Sequence, residues 1–275
     1  MNFSELVPYS TAAFSHAGDS IAIAKDRDVF VYDADRLSIL HKFQLPVEVM
    51  RVLWSPDDNF LMCVNTQQQC LHLRTLNSKV VSCAPESWTG TIEDMMLVGA
   101  VWTPDSRQII TFTDLQLRAT VWNLHTQSAT AFIKAPKLVP PKGIGFSSNG
   151  KFMCLGERKD CADWVSIYYC GLDFKLTNAF EVSGDTFDMQ DCKWTMKNTA
   201  ILVQDSPLES KFVLYSAMTG RPIAVHAPNA NSGLGIRNLS VSPSEQLLVC
   251  GMFDQHICLY NNLSQRAIVD LEHVS

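Results

Sequence analysis

Histidines and paired carboxylates are the residues of this sequence that could do acid–base or metal chemistry, and their spacing favours neither. Seven histidines are scattered along the 275 residues, and none forms an H-x-x-H or H-E-x-x-H pattern or a Cys/His pair at metal-ligand spacing. The pairs Asp57-Asp58 and Glu93-Asp94 are adjacent residues on turns, which point apart and are expected to stay solvated. No nucleophile elbow, P-loop or dinucleotide fingerprint occurs. We therefore predict a non-enzymatic protein with no catalytic residue, no metal and no cofactor.

The densest charge cluster runs from Glu157 to Asp163 and reads Glu-Arg-Lys-Asp-Cys-Ala-Asp. Two interpretations stand side by side: a polar binding surface, or a solvated hairpin tip. Trp88 and Trp164 do not fall on the register of the other tryptophans, so they are either exposed contact residues or local packing. The residues predicted to bind a protein partner are Glu157, Arg158, Lys159, Asp160, Asp163, Trp164 and Trp88.

A repeated turn organises the chain and must position these residues. An apolar residue followed by Ser or Thr and a turn recurs at successive intervals of 40, 48, 44, 48 and 47 residues. Each turn precedes a short apolar run and then an alternating run, as in Val29-Phe30-Val31-Tyr32, which has the period of two typical of β-strands. A fourth run closes each unit. Four strands in about 40 to 45 residues indicate the WD-repeat blade. The six Ser/Thr positions are Ser15, Ser55, Thr103, Ser147, Thr195 and Ser242.

The repeat predicts an all-β fold, a WD40-type β-propeller with six four-stranded blades in a complete or incomplete ring. We expect a single domain over residues 1–275, with units at approximately 11–45, 49–85, 98–134, 142–181, 190–227 and 236–272. The proline-rich segment 134–142 is predicted to be an inter-blade loop. Trp54, Trp102, Trp122 and Trp194 occupy repeat positions and are predicted to be core.

The repeats are divergent. The Gly-His dipeptide that opens many WD repeats is absent, and the closing Trp-Asp is replaced, for example by Tyr260-Asn261. A turn aspartate is kept in some units, including Asp163 in the fourth, and should preserve part of the hydrogen-bond scaffold. The second unit carries Gln68 in that place and has lost it.

Composition and charge limit the classes of partner that the chain is expected to bind. The formal net charge of -6 gives no basic field for phosphate backbones or anionic lipid, so nucleic acid and membrane are disfavoured. The first ten residues have neither a positive n-region nor an apolar h-region, which predicts a cytoplasmic or nuclear location. Nine cysteines without a C-x-x-C pair are expected to be reduced and mostly buried.

Three segments resemble the WD-repeat protein eight family of centrosomal and spindle-pole proteins: Met1 to Glu5, Leu117 to Leu124 and Glu157 to Ile167. The resemblance extends in the same order over nearly the whole chain. It implies a cytoplasmic scaffold at the centrosome, spindle pole or equivalent microtubule-organising centre. The implied partners are an elongated coiled-coil microtubule-anchoring protein and, in fungi, a minus-end-directed kinesin, which together tether microtubule minus ends.

Members of that family usually continue past the sixth unit, which leaves two expectations for this chain. Either it is truncated, or six units close on themselves with Asn2 to Tyr9 supplying an outer strand to the last blade. The alternative function is a translation-associated WD propeller that binds the ribosome or RNA. A propeller hydrolase is disfavoured because the repeat register contains no ring of inward-facing carboxylates or histidines.

Overall fold

The computed structural model describes residues 10–76, 90–171, 174–228 and 235–272. These residues form six four-stranded antiparallel sheets, each with its strands in sequence order, and they contain no α-helix. No described helix is long and apolar enough to cross a membrane. The predicted all-β, six-bladed WD40-type architecture is confirmed. Asn2 to Tyr9 and Trp88 lie outside the described residues.

Each sheet contains four short strands. The first three sheets comprise β1 (Thr11–Phe14), β2 (Ser20–Lys25), β3 (Asp28–Asp33) and β4 (Ile39–Gln44); β5 (Arg51–Trp54), β6 (Phe60–Asn65), β7 (Cys70–Thr75) and β8 (Gly90–Glu93); and β9 (Leu97–Trp102), β10 (Gln108–Thr113), β11 (Arg118–Asn123) and β12 (Ser128–Lys134). The last three comprise β13 (Ile144–Phe146), β14 (Phe152–Lys159), β15 (Ala162–Tyr169) and β16 (Lys175–Glu181); β17 (Asp191–Thr195), β18 (Ala200–Gln204), β19 (Phe212–Ser216) and β20 (Pro222–His226); and β21 (Ile236–Val241), β22 (Leu247–Met252), β23 (His256–Asn261) and β24 (Arg266–Glu272).

Contacts divide the chain into two compact units. One contains residues 1–115 and 119–130, and the other contains residues 116–118 and 131–275. The single domain and the unit boundaries expected from sequence stay predictions. The fourth strand of the second sheet, at Gly90–Glu93, lies beyond the range 49–85 that the periodicity indicated.

The repeated Ser/Thr closes the same turn in five of the six sheets. Its side-chain oxygen accepts the backbone N–H of the residue five positions later, which begins or precedes the second strand, at 2.8 to 3.1 Å. This bond satisfies a backbone donor that the hairpin leaves unpaired. Thr195 differs because Met196, Lys197 and Asn198 all have positive φ. Its oxygen instead accepts the side-chain amide of Asn262 at 2.6 Å.

Turns of neighbouring sheets are joined within each compact unit. In the first, the two carboxylate oxygens of Asp58 each accept a backbone N–H at 2.8 Å, from His16 and Ala17. In the second, Asn198 Oδ1 accepts the Ser148 N–H at 2.6 Å. Burial opposes ionisation of Asp58, but the bonds from the His16 and Ala17 amides outweigh it and lower the pKa of that carboxyl. The repeated turn therefore also holds one sheet against the next.

Apolar side chains of adjacent sheets form four core clusters, two in each compact unit. In the first unit they include Trp54 and Trp102, whose indole N–H groups donate to Ala13 O at 2.9 Å and Leu53 O at 3.3 Å. In the second unit they include Trp194 and Tyr215. Trp54, Trp102 and Trp194 are buried as predicted, whereas Trp122 is only half-buried. The sheets thus stack through side chains that alternate along their strands.

Candidate protein-binding face

The charge cluster predicted from sequence lies at the hairpin between β14 and β15. Lys159 pairs with Ala162, so Asp160 and Cys161 form a two-residue turn. Their φ values of 49° and 64° are the left-handed values that a type I′ hairpin turn requires. The side chains of Asp160 and Cys161 are exposed, so the turn itself is solvated.

A buried ion-pair network fixes this hairpin to two loops. Lys137 Nζ, in the loop before β13, lies 2.6 Å from Asp163 Oδ2 and 2.6 Å from Asp188 Oδ1, and its side chain is only 7% exposed. Arg158 Nη1 lies 3.1 Å from Asp163 Oδ1 and 3.4 Å from Asp188 Oδ1. The Met189 N–H also donates to Asp163 Oδ2 at 2.8 Å. A buried ammonium is tolerated when carboxylates and hydrogen bonds compensate it, as they do here.

A second network surrounds Glu157, which is fully buried. Its carboxylate accepts hydrogen bonds from Ser166 Oγ at 2.7 Å and from Tyr168 OH at 2.5 Å, and pairs with Lys159. Burial, together with the bond to Glu157, raises the pKa of the Tyr168 phenol. Lys159 Nζ in turn lies 5.9 Å from the centroid of the Trp164 ring, within the range of a cation–π contact.

The predicted binding residues therefore divide into two groups. Glu157 and Asp163 are buried because each is surrounded by donors that neutralise its charge, so they position the hairpin and supply no contact surface. Arg158, Lys159 and Asp160 reach solvent and Trp164 is half-buried. Their role in protein binding stays a prediction. Trp88 lies outside the described residues.

A third buried carboxylate, Asp205, organises the loop before β17. It accepts the backbone N–H groups of Phe187 at 2.9 Å, Asp188 at 2.9 Å and Ser206 at 2.7 Å, and Lys211 Nζ lies 3.4 Å away. The carboxylate is completely buried. A carboxylate bonded to several amides in this way fixes the loop backbone at a defined position.

Two large apolar side chains project from the backbone that Asp205 fixes. Phe187 is 69% exposed and Leu208, in the loop between β18 and β19, is 82% exposed. We call these two residues the Phe187/Leu208 patch. The same two loops carry acidic residues that reach solvent, namely Asp185, Asp188 and Glu209. An exposed apolar group on an ordered backbone is typical of a protein-binding surface.

Comparison with known proteins agrees with the repeat architecture. The chain is 31% identical over 275 residues to WD repeat-containing protein WRAP73 of Mus musculus, an alignment that covers 99% of this chain and 57% of the relative. This similarity, together with the six four-stranded sheets, supports a divergent WD-repeat protein. No protein-family model matches it. WD-repeat propellers generally serve as protein-interaction scaffolds, and this WD-repeat protein has the corresponding architecture.

One of the paired carboxylates, Asp94, has a structural role outside this face. Asp94 is buried, so the expectation that it stays solvated is wrong. Its Oδ2 accepts the Thr111 hydroxyl at 2.6 Å, and Thr111 Oγ1 accepts the Trp122 indole N–H at 2.9 Å. This series of hydrogen bonds links the loop before β9 to strands β10 and β11. Within the described ranges, no group of three or more His, Cys, Asp or Glu side chains could hold a metal ion.

Sequence reasoning missed five residues that shape this face: Lys137, Asp188, Asp205, Phe187 and Leu208. The sequence places Lys137 in the predicted inter-blade loop 134–142 and indicates no further role for it. Its position between Pro136 and Pro140 is the one local signal that this lysine is held in place. The two aspartates and the two apolar residues fall between strands, where the repeat pattern carries no information. Only their contacts with each other identify them.

Proposed function

We propose that this WD-repeat protein is a non-enzymatic scaffold of a microtubule-organising centre, where it helps to tether microtubule minus ends. The observation that carries the scaffold role is the Phe187/Leu208 patch, whose two apolar side chains are exposed on loops that buried carboxylates hold in place. Exposed apolar side chains cost solvation free energy unless a partner covers them.

The order of the two loops favours binding as well. Asp205 fixes the backbone of Phe187, and Asp163 fixes that of Met189 through its N–H. A partner that binds here would not have to order these loops, and the conformational entropy cost of association would be correspondingly smaller. An exposed aromatic side chain on an ordered backbone has the character of a binding hot spot.

The proposed partners are an elongated coiled-coil microtubule-anchoring protein and a minus-end-directed kinesin, and the proposed location is the cytoplasmic centrosome or spindle pole. Support for these comes from the family resemblance carried by Leu117 to Leu124 and Glu157 to Ile167. The chain spans 57% of the length of that relative.

The experiment compares the tagged full chain with the double variant Phe187→Ser/Leu208→Ser in dividing cells. We expect the wild type to concentrate at spindle poles and to recover coiled-coil anchoring proteins, and the double variant to lose both. The matched control is Met218→Ser/Leu263→Ser, which removes two other exposed apolar side chains, 89% and 57% exposed, and should behave as the wild type. A diffuse wild-type signal, or co-sedimentation with ribosomes that resists nuclease, would contradict the proposal.

A further inference from the structure

A second surface feature lies in the compact unit that contains the Phe187/Leu208 patch. It is an open cavity of about 550 Å³ lined by Gln116, Leu117, Arg118, Phe132, Lys134 and Ala135. We call it the Phe132 groove. Its walls are the two residues before β11, the first residue of β11, Phe132 and Lys134 near the end of β12, and Ala135, the residue after β12.

The backbone of the Phe132 groove is held in a constrained conformation. Ala135 has φ 55°, a left-handed value that L-residues other than Gly, Asn and Asp rarely adopt. Two hydrogen bonds maintain it: the Ala135 N–H donates to Leu117 O at 3.3 Å, and the Arg158 N–H donates to Ala135 O at 3.1 Å. Left-handed residues of this kind persist where the surrounding structure fixes them, and they are frequent at ligand-binding positions.

The groove is apolar inside and basic at its rim. Leu117 is 57% exposed and Phe132 is 63% exposed. Arg118 Cζ lies 5.7 Å from the centroid of the Phe132 ring, and the side chains of Arg118 and Lys134 both reach solvent. None of the six lining residues is acidic, although the chain carries a formal net charge of -6. The side chains that line the groove thus include two cations and no anion, whereas the chain as a whole carries a negative formal charge.

We propose that the Phe132 groove binds a protein segment in which a large apolar side chain is flanked by carboxylates. The apolar side chain would cover Leu117 and Phe132, and the carboxylates would pair with the ammonium of Lys134, which reaches solvent beside the groove. Such a segment matches both the apolar lining and the sign of the rim. The inference rests on the scaffold function proposed above and specifies the chemistry of one of its partners.

Nucleic acid fits the same groove less well. The guanidinium of Arg118 lies over one face of the Phe132 ring, so a base cannot stack on that face. Two cations release few counterions from a phosphate backbone, and the negative net charge of the chain opposes its approach. The aliphatic side chains of Leu117 and Ala135 also offer no hydrogen bond to a base edge.

The test measures fluorescence polarisation of labelled peptides titrated with the purified full chain. The probe is the peptide Glu-Asp-Glu-Leu-Phe-Glu-Asp-Glu. One comparison peptide replaces its acidic residues by Lys, and the other replaces Leu-Phe by Gly-Ser. We expect the probe to bind about ten-fold more tightly than either comparison peptide, the difference made by one well-placed contact.

Variants assign the binding to the groove. Lys134→Glu and Phe132→Ser should each weaken probe binding about ten-fold, because each removes one of the two complementary features. Lys142→Glu makes the same charge change at an exposed lysine that does not line the groove, and should bind as the wild type. An unchanged thermal midpoint confirms that each variant is folded, since both substituted groove side chains are exposed.

Three results would overturn the inference: equal affinity for all three peptides, equal loss in Lys142→Glu and Lys134→Glu, or tighter binding of a labelled heptauridylate than of the probe. Each is distinguishable from failure of the scaffold function. If groove variants bind the probe as the wild type does while Phe187→Ser/Leu208→Ser still abolishes partner recovery, the groove inference fails and the scaffold stands. If the probe binds as expected but no anchoring protein is recovered, the proposed scaffold function fails and the peptide specificity of the groove stands.

Discussion

Two hairpins occupy the same place in their repeats and are held by different chemistry. The β6–β7 hairpin depends on Asn65, whose side chain donates to Glu48 O at 2.8 Å and accepts the Gln68 N–H at 2.7 Å. The β14–β15 hairpin depends on Asp163, which pairs with two cations and accepts the Met189 N–H. Neutral hydrogen bonds from an amide side chain are sufficient to fix the β6–β7 hairpin. The charges of the β14–β15 hairpin therefore have a further consequence.

That consequence is the fixing of neighbouring loops. The bonds of Asn65 stay within its own hairpin and the segment just before it, 17 residues away in sequence at most. Asp163 reaches Lys137 and Met189, each 26 residues away, and Asp188 shares the same cations. The charged network thereby orders the loop that exposes Phe187. In the fourth repeat the aspartate connects loops on a shared surface, whereas Asn65 in the second repeat fixes only its own hairpin and the segment before it.

The largest effect is expected from Asp163→Ala. The substitution leaves the buried Lys137 without one of its two carboxylates, and breaking a buried ion pair from one side costs about 3–5 kcal/mol. Asn65→Ala removes only neutral hydrogen bonds and should cost about 1–2 kcal/mol. Urea denaturation followed by circular dichroism gives both free energies of unfolding.

A double variant separates charge burial from lost packing. Lys137→Met/Asp163→Leu removes both buried charges, and replacing a buried pair by apolar residues is often neutral or stabilising. We expect it to be more stable than Asp163→Ala. Equal losses in Asp163→Ala and Asn65→Ala, or no recovery in the double variant, would remove the distinction between the two hairpins.

An intermediate effect is expected from Tyr168→Phe. The variant loses the hydrogen bond from the phenol to the buried carboxylate of Glu157, and a bond to a charged group contributes about 1.5–3 kcal/mol. Tyr169→Phe is the matched control, since Tyr169 is 46% exposed on the other face of β15. The same denaturation measurement should find the control within about 0.5 kcal/mol of the wild type. A comparable loss in both variants would show that Glu157 does not depend on Tyr168.

The parts of this fold that the sequence predicts are those fixed by local chemistry. The Ser/Thr turns are readable because the hydroxyl and the amide it accepts are five residues apart. The strands are readable because short apolar runs and alternating runs between turns are typical of β-strands. The hairpin at Glu157 to Asp163 was located for the same reason. The fate of its carboxylates was not readable, because burial of Asp163 depends on Lys137 and Met189, which no local pattern connects to it.

The Phe187/Leu208 patch illustrates the same limit. Two strands, β17 and β18, separate Phe187 from Leu208 in the chain, and both loops are positioned by bonds to Asp205. A phenylalanine between strands is more often part of the core than exposed. Its 69% exposure follows from amide hydrogen bonds at its backbone, which leave no trace in residue type or spacing.

The smallest expected effect is a change in the free energy of unfolding with pH. It also distinguishes the β6–β7 hairpin from the β14–β15 hairpin. Burial lowers the pKa of His72, on β7, below its usual 6.5, and the nearby Arg74 lowers it further while Glu93 partly opposes them. Between that lowered pKa and 6.5 the unfolded chain binds more protons than the folded one, so stability should fall as the pH falls from 7.5 to 5.5. The β14–β15 hairpin contains no histidine.

His72→Asn removes the titrating ring and should reduce the loss of unfolding free energy between these two pH values, as measured by urea denaturation at each. Thr91→Val is the matched control: Thr91 Oγ1 lies 3.0 Å from His72 Nδ1, so this variant lowers stability at both pH values but keeps the ring and most of the acid response. The half-buried His226 also has a pKa lowered by burial, so His72→Asn should retain part of the response. If His72→Asn lost as much unfolding free energy on acidification as the wild type, the stability of the β6–β7 hairpin would be no more sensitive to acid than that of the β14–β15 hairpin.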